Sequence, residues 1–233
     1  MNRLIVTGAS SGIGRAIATR FLVDGWSVLN IARRPCPETG VENLICDLSR
    51  PGAWETLREP LADWLQDTRR VCLVHNASVM QTDRIDELPD ATLRGALELD
   101  VLAPNGLNQI LLPQLPVGSS VVYIGSTLAE KAVPGVASYV IAKHALVGMM
   151  RATCQDLAGR GIHSCIICPG FTDTEQLRAL IGDSTETLDA ITGLSAFGRL
   201  IEPEEIAETV LFAARSPVLN GAVIHANLGQ RER

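Results

Sequence analysis

Thr7-Gly8-Ala9-Ser10-Ser11-Gly12-Ile13-Gly14 follows the short β-rich run Arg3–Thr7 and leads into an amphipathic stretch that reaches Asp24. Glycine lets a chain turn sharply and lets its backbone approach a phosphate. The helix that follows offers unpaired N–H groups and a partial positive end to an anion. The spacing is G-x-x-x-G-x-G, not the G-x-G-x-x-G of the commoner dinucleotide fingerprint. A strand, a glycine turn and a helix are by themselves a weak signal. Three glycines and two serines at a first βα junction are a stronger one, and they point to a phosphate held by Gly8, Ser10, Ser11, Gly12, Ile13 and Gly14.

Outward from this turn the pattern alternates. Strand-like runs are expected at Arg3–Thr7, Trp26–Ala32, Asn43–Cys46, Val71–His75, Ser120–Gly125, Ile162–Cys168 and Ala222–His225. Helical patterns are expected at Ile13–Asp24, Ala53–Gln66, Ala91–Leu112, Ala137–Ala158 and Pro203–Ala214, the last because proline suits a first helical turn. Most strands are continuous apolar runs, as in a parallel sheet covered on both faces. The expected fold is therefore α/β: one doubly wound, Rossmann-type domain over residues 1–233, with a mostly parallel sheet of about seven strands. Residues 35–42 carry Pro35 and Pro37, so the helix between the second and third strands is expected to be missing or trimmed. The segment 171–198 is the longest without a clear strand. It reads equally as a substrate-binding lid or as two packed surface helices.

Composition narrows the function. The 233 residues are 46% hydrophobic and 20% charged, ordinary for a chain with a real core, and the net charge of −6 argues against sequence-independent nucleic-acid binding. No apolar run is long enough to span a membrane, and the opening residues MNRLIVTGAS do not look like a signal peptide, so a cytoplasmic protein is expected. Of the six cysteines, Cys165 and Cys168 form a C-x-x-C, but on an expected strand. Residues three apart on a strand point to opposite faces, so the pair reads as buried structural thiols and no metal is expected.

The second strand ends in Ala32-Arg33-Arg34. An acidic residue there would take the ribose 2′-hydroxyl of NAD(H). Two arginines suit a 2′-phosphate instead, which favours NADP(H) and leaves NAD(H) open. The bland reading is a solvated basic pair. Tyr139 and Lys143 lie four apart in a helical pattern and so share one face. A neighbouring ammonium favours the phenolate and fits a tyrosine for proton transfer. Ser126, at the end of a strand, can hold a substrate oxygen. A lone Y-x-x-x-K says almost nothing; its company decides.

The company resembles the short-chain dehydrogenase/reductase family, in its single-domain branch. The matching pieces are TGASSGIG at 7–14, HNAS at 75–78, Ser126 with Tyr139 and Lys143, CPGFTDT at 168–174 and GRLIEPEEIA at 198–207, in the family's order over nearly the whole chain. The three-residue gap between Tyr139 and Lys143 argues against the enoyl-reductase branch. The resemblance implies hydride transfer between a nicotinamide and a carbonyl or secondary-alcohol carbon of a small molecule. Tyr139 would exchange the proton, Lys143 would lower its pKa and bind the ribose, and Ser126 would hold the substrate oxygen. Asp47 and Leu48 would lie at the adenine, and Asn76, Ala77 and Ser78 beside the adenosine ribose. Pro169, Gly170, Thr172 and Thr174 would grip the carboxamide and pyrophosphate. A homodimer or homotetramer built on the helices near 91–112 and 137–158 is implied as well.

Four departures stand out. Asp100 occupies the place of the family's fourth catalytic residue, an asparagine whose backbone carbonyl helps hold a water beside the lysine; a carboxylate there would raise the pKa of Lys143. His75 stands for the usual Asn, Ser78 for the usual Gly, and Asn227-Leu228-Gly229-Gln230 replaces the usual Asp-Gly-Gly. The first three motivate a rival reading, a dinucleotide-sensing or scaffold protein of the same fold with weak catalysis. A nucleotide-sugar epimerase or dehydratase is the second rival, and the chain leaves little length for the extra substrate domain that it needs.

Overall fold

The strand that precedes the glycine turn is the third across a seven-stranded sheet ordered β3-β2-β1-β4-β5-β6-β7. The computed structural model describes residues 1–182 and 184–231. The strands are β1 (Asn2–Thr7), β2 (Ser27–Ala32), β3 (Val41–Ile45), β4 (Arg70–His75), β5 (Ser120–Ile124), β6 (His163–Pro169) and β7 (Val223–Ala226). Every neighbouring pair is parallel. The order reverses at β1, which pairs β2 on one side and β4 on the other. Parallel strands that diverge in this way leave a crevice beyond their C-terminal ends, where open α/β sheets bind ligands.

The side-chain period of two sorts each strand into two core layers. Leu4 and Val6 of β1 join Ile17 and Phe21 of α1 (Gly12–Val23) and Ile206 and Val210 of α8 (Pro203–Ala214). Ile5 faces the other layer, with Leu61 of α2 (Arg58–Trp64), Leu107 of α4 (Ala103–Leu111) and Met150 of α5 (Ala137–Asp156). Cys165 and Cys168 fall in opposite layers, both buried and free.

Several boundaries differ from the expectation, each for a local reason. The third strand is Val41–Ile45 rather than 43–46, paired residue for residue with Val28–Ala32. No helix joins β2 to β3. The pattern over 53–66 is a 3-10 turn, Ala53–Leu57, before α2; Pro60 sits in the first turn of α2, where its missing N–H costs nothing. The expected helix over 91–112 is broken into α3 (Asp90–Leu97), a π turn (Glu98–Leu102) and α4. Pro104 explains the break: it has no N–H to give the carbonyl of Asp100, four residues back, and its ring crowds that carbonyl. The segment 171–198 holds α6 (Glu175–Ile181) and α7 (Thr185–Thr192), capped by Thr174 and Ser184; Asp183 lies outside the described residues. No helix among the described residues is long and apolar enough to cross a membrane.

Candidate active site

A cleft of about 1190 Å³ opens over the C-terminal ends of the strands. Every residue singled out from the sequence as a catalytic or cofactor contact lines it, except Asp100.

At the β1–β4 end the glycine turn is held from below. Asn76 gives its side-chain amide to the carbonyls of Thr7 (2.9 Å) and Gly8 (3.3 Å). The backbone N–H groups of Asn76 and Ala77 both bond Thr7 Oγ1 at 2.9 Å. The backbone and side-chain N–H groups of Asn76 are thus structural, and its Oδ1 remains for a ligand. Gly14 lies so close that a Cβ there would meet Gly8 O at 2.4 Å. Ser11 precedes α1 without capping it through its side chain, so the first N–H groups of α1 face the cleft without that partner. Along the same wall Arg33 and Arg34 are exposed. Asp47 carries two hydrogen bonds from Ser49, which with Arg33 and Arg50 hold its carboxyl below the usual carboxylate range.

At the β5–β6 end three side chains converge. Ser126 follows β5 and accepts the N–H of Leu128 at 3.1 Å, which leaves its own hydroxyl hydrogen to donate. Tyr139 sits in the first turn of α5. That turn is tied down by Asp83, whose carboxylate accepts the N–H of Ser138 (3.0 Å) and its hydroxyl. A carboxylate at a helix N-terminus complements its dipole. The sequence carried no signal for Asp83, because its partner lies across a 55-residue gap.

Lys143, one turn further on, is 2% exposed. Its Nζ donates to Ile124 O (3.2 Å), lies 5.3 Å from the centre of the Tyr139 ring and pairs with Asp100 Oδ1 at 2.9 Å. Burial pushes the Lys143 ammonium down, but the Asp100 carboxylate, with Tyr139, outweighs it and leaves the lysine raised. Asp100 stands behind Lys143, off the cleft wall, and its Oδ1 also accepts Ser78 Oγ at 2.5 Å. The departure from asparagine therefore acts through the side chain, in direct contact with the lysine.

Beyond Ser126 and Tyr139 the cleft carries a group of apolar side chains: Val79, Met80, Leu128, Val133, Leu177 and Leu180. Of these, only Leu177 and Leu180 lie in the 171–198 segment that the sequence offered as a substrate-binding lid. Gln230 and Arg231 also line the cleft, brought in by the hydrogen bond from Arg231 N to Leu194 O at 2.8 Å. Nothing local in the sequence marks that long-range contact. Gly170, at the end of β6, packs so tightly on Asn227 that a Cβ would come within 3.1 Å of its Cα.

A cleft of this kind, at the reversal point of a parallel sheet, defines a dinucleotide-binding α/β protein. The chain belongs to the short-chain dehydrogenase/reductase family of oxidoreductases: the family profile described as "Enoyl-(Acyl carrier protein) reductase" matches residues 8–231. The chain is 27% identical to the 3-oxoacyl-acyl-carrier-protein reductase FabG of Salmonella typhimurium, with 97% of this chain and 95% of that one covered. It is 29% identical to the cyclic-di-GMP-binding biofilm dispersal mediator protein of Escherichia coli, over 91% and 88% of the two chains. Among solved structures, a 3-oxoacyl (acyl-carrier-protein) reductase from Agrobacterium tumefaciens with NADP bound superposes with a TM-score of 0.87 at 26% identity, covering 98% and 93%.

Proposed function

We propose that the chain is an NADP(H)-dependent oxidoreductase that interconverts a carbonyl and a secondary alcohol, with Tyr139 as its general acid and base. The observation that carries this reading is the convergence of Ser126, Tyr139 and Lys143 on the cleft that also holds the glycine turn. Bound along the cleft, the dinucleotide would supply or accept the hydride. Its pyrophosphate fits the open N-terminus of α1. Its 2′-phosphate fits Arg33 and Arg34, whose guanidinium groups make no hydrogen bond or ion pair with the described residues.

Ser126 donates its hydroxyl hydrogen to the substrate oxygen, since its bond from Leu128 N uses only an acceptor lone pair and leaves that hydrogen uncommitted. Tyr139 gives its proton to that oxygen in reduction and takes it back in oxidation. Lys143, held by Ile124 O and Asp100, steadies the phenolate from one turn away. The walls formed by Met80, Leu128, Val133 and Leu180 favour an apolar group beside the carbonyl, as in the acyl chain of a 3-oxoacyl compound. Val133 and Leu180 are 46% and 43% exposed, apolar surface that such a group would cover. The same reading includes a homodimer or homotetramer and a cytoplasmic location.

The test is NADPH consumption against a panel of ketones, aldehydes, quinones and 3-oxoacyl thioesters, for the chain and for Tyr139→Phe. Turnover that disappears in the variant while NADPH still binds supports the reading. Turnover that survives most of the change overturns it. A second reading, a nucleotide-sensing protein of the same fold, is favoured by the resemblance to the biofilm dispersal mediator, and the absence of turnover across the panel would favour it in turn.

A further inference from the structure

Two of the departures read from the sequence turn out to touch: Ser78 and Asp100 share a hydrogen bond of 2.5 Å, and the oxygen that accepts it also holds Lys143. From this contact we infer that Ser78 and Asp100 form a positioning pair that keeps Lys143 as half of a buried ion pair and so weakens its pull on the Tyr139 proton. This rests on the proposed role of Tyr139, although its decisive measurement does not need turnover.

The lysine and the carboxylate are 2% and 1% exposed, so little water screens them. An ammonium alone beside Tyr139 would favour the phenolate strongly. An ammonium paired at 2.9 Å presents a dipole instead, and a dipole's field falls off faster than that of a charge. Asp100 Oδ1 takes both donors, while Oδ2 is buried with no partner among the described residues. The carboxylate is thereby fixed in one orientation, with its bonded oxygen toward the lysine.

The surroundings leave few other charges to compete. From α5 itself Tyr139 acts on Lys143, from the π turn Asp100, and from β6 Cys168, whose thiol burial pushes up to about 11; Glu98, also of the π turn, is a second buried carboxylate, with Oε1 unpartnered among the described residues. The 3-10 turn Thr127–Ala129, packed against α5, carries no titratable group, and Asp90 and Arg94 of α3 are solvent-exposed.

The sequence supplies a direct readout. The chain has two tyrosines, Tyr123 and Tyr139. Tyr123 is fully buried and its phenol is pushed up by burial, so the phenolate step to follow is that of Tyr139. Tyr139→Phe verifies the assignment by removing that step.

The experiment is an ultraviolet phenolate titration of the cofactor-free chain, of Asp100→Asn and of the double variant Ser78→Gly with Asp100→Asn. The double variant carries the residues usual in the family at both positions and leaves no hydroxyl facing an amide it does not fit. The step is expected about one pH unit lower in both variants than in the unaltered chain. The pH at which alcohol oxidation reaches its plateau should fall with it. A step that stays in place, or rises, in a folded variant overturns the inference; so does loss of the proton from Lys143 in place of Tyr139, which leaves the step unmoved. Absence of turnover would count against the functional reading alone, because the titration still judges the pair.

Discussion

His75 Nε2 lies 2.9 Å from Asn108 Oδ1, and the imidazole stacks on Tyr123 at 4.9 Å between ring centres. Asn108 passes the contact on to Tyr123 OH (2.8 Å), which meets Thr153 Oγ1 (2.8 Å). Because Oδ1 of Asn108 accepts, Nε2 carries the hydrogen and Nδ1 is bare, buried and without a partner among the described residues. The chain of bonds ties β4, α4, β5 and α5 together beneath the cleft.

The first prediction follows from that burial. It pushes His75 down to about 4, outweighing the Asn108 hydrogen bond, while an unfolded histidine titrates near 6.5. Between these values the unfolded chain binds the extra proton, so stability falls as pH falls through the window. The loss from this residue is about 2–3 kcal/mol by pH ~4.5. Urea denaturation at pH ~7 and ~4.5 should show it for the natural chain and not for His75→Asn. The lowered carboxylates, such as Glu205 at about 2, lose their stabilisation mainly below this window and do so in both proteins. Equal slopes in the two would mean that His75 is not buried neutral.

Gly14 offers a second test. A Cβ there would lie 2.4 Å from Gly8 O and 2.6 Å from Asn76 Nδ2, neither of which can move without opening the turn. Gly14→Ala should cost about 1–3 kcal/mol of stability. It should also weaken NADPH binding at least about tenfold, roughly the effect of losing one charge-assisted contact. Gly148→Ala in α5, where a Cβ meets nothing, is the control and should be neutral or stabilising by up to about 1 kcal/mol. Thermal melts and NADPH fluorescence distinguish the two. A neutral Gly14→Ala would show that the turn is looser than its geometry.

The arginine pair makes a third. Replacing Arg33 and Arg34 together by Ala should reduce NADPH affinity about tenfold or more and leave NADH nearly unchanged, because only NADPH carries the 2′-phosphate. Fluorescence titration with both nucleotides at low salt reads the difference. Parallel losses would place the arginines on the pyrophosphate or on the fold instead.

Sequence periodicity located β1, β2, β4, β5, β6, α1, α5 and α8 well, because these elements carry apolar residues that burial demands; β3, with no buried residue, was the strand whose bounds it missed. Pro203 and Ala214 bound α8 as expected. Periodicity could not show the π turn at Glu98–Leu102, since the apolar pattern runs on through it; Pro104 was the available signal, and its effect is exerted one turn back on Asp100. The glycine turn and the Ser126–Tyr139–Lys143 set were legible as spacing and order. What those groups lean on was not. Asp83 beneath α5, Ser78 against Asp100 and Arg231 beside Leu194 are pairs distant in the chain, and only folding brings them together.

The buried pair of Lys143 and Asp100 also bears on stability, independently of catalysis. Two charges taken out of water need each other: removing one leaves the other buried and uncompensated, which costs about 3–5 kcal/mol. Lys143→Met should therefore destabilise the chain by about that amount, with Asp100 left to Ser78 alone. Asp100→Leu added to Lys143→Met removes the stranded carboxylate and should restore most of the loss, although Ser78 Oγ then lacks its acceptor. In a double-mutant cycle the interaction energy should be at least about 1–3 kcal/mol, since contacting residues of one network are not additive. Urea denaturation of the four proteins at pH ~7 measures it. Additive losses would mean that each charge is solvated in the folded chain by something other than its partner, and the ion pair at 2.9 Å would then have no energetic standing.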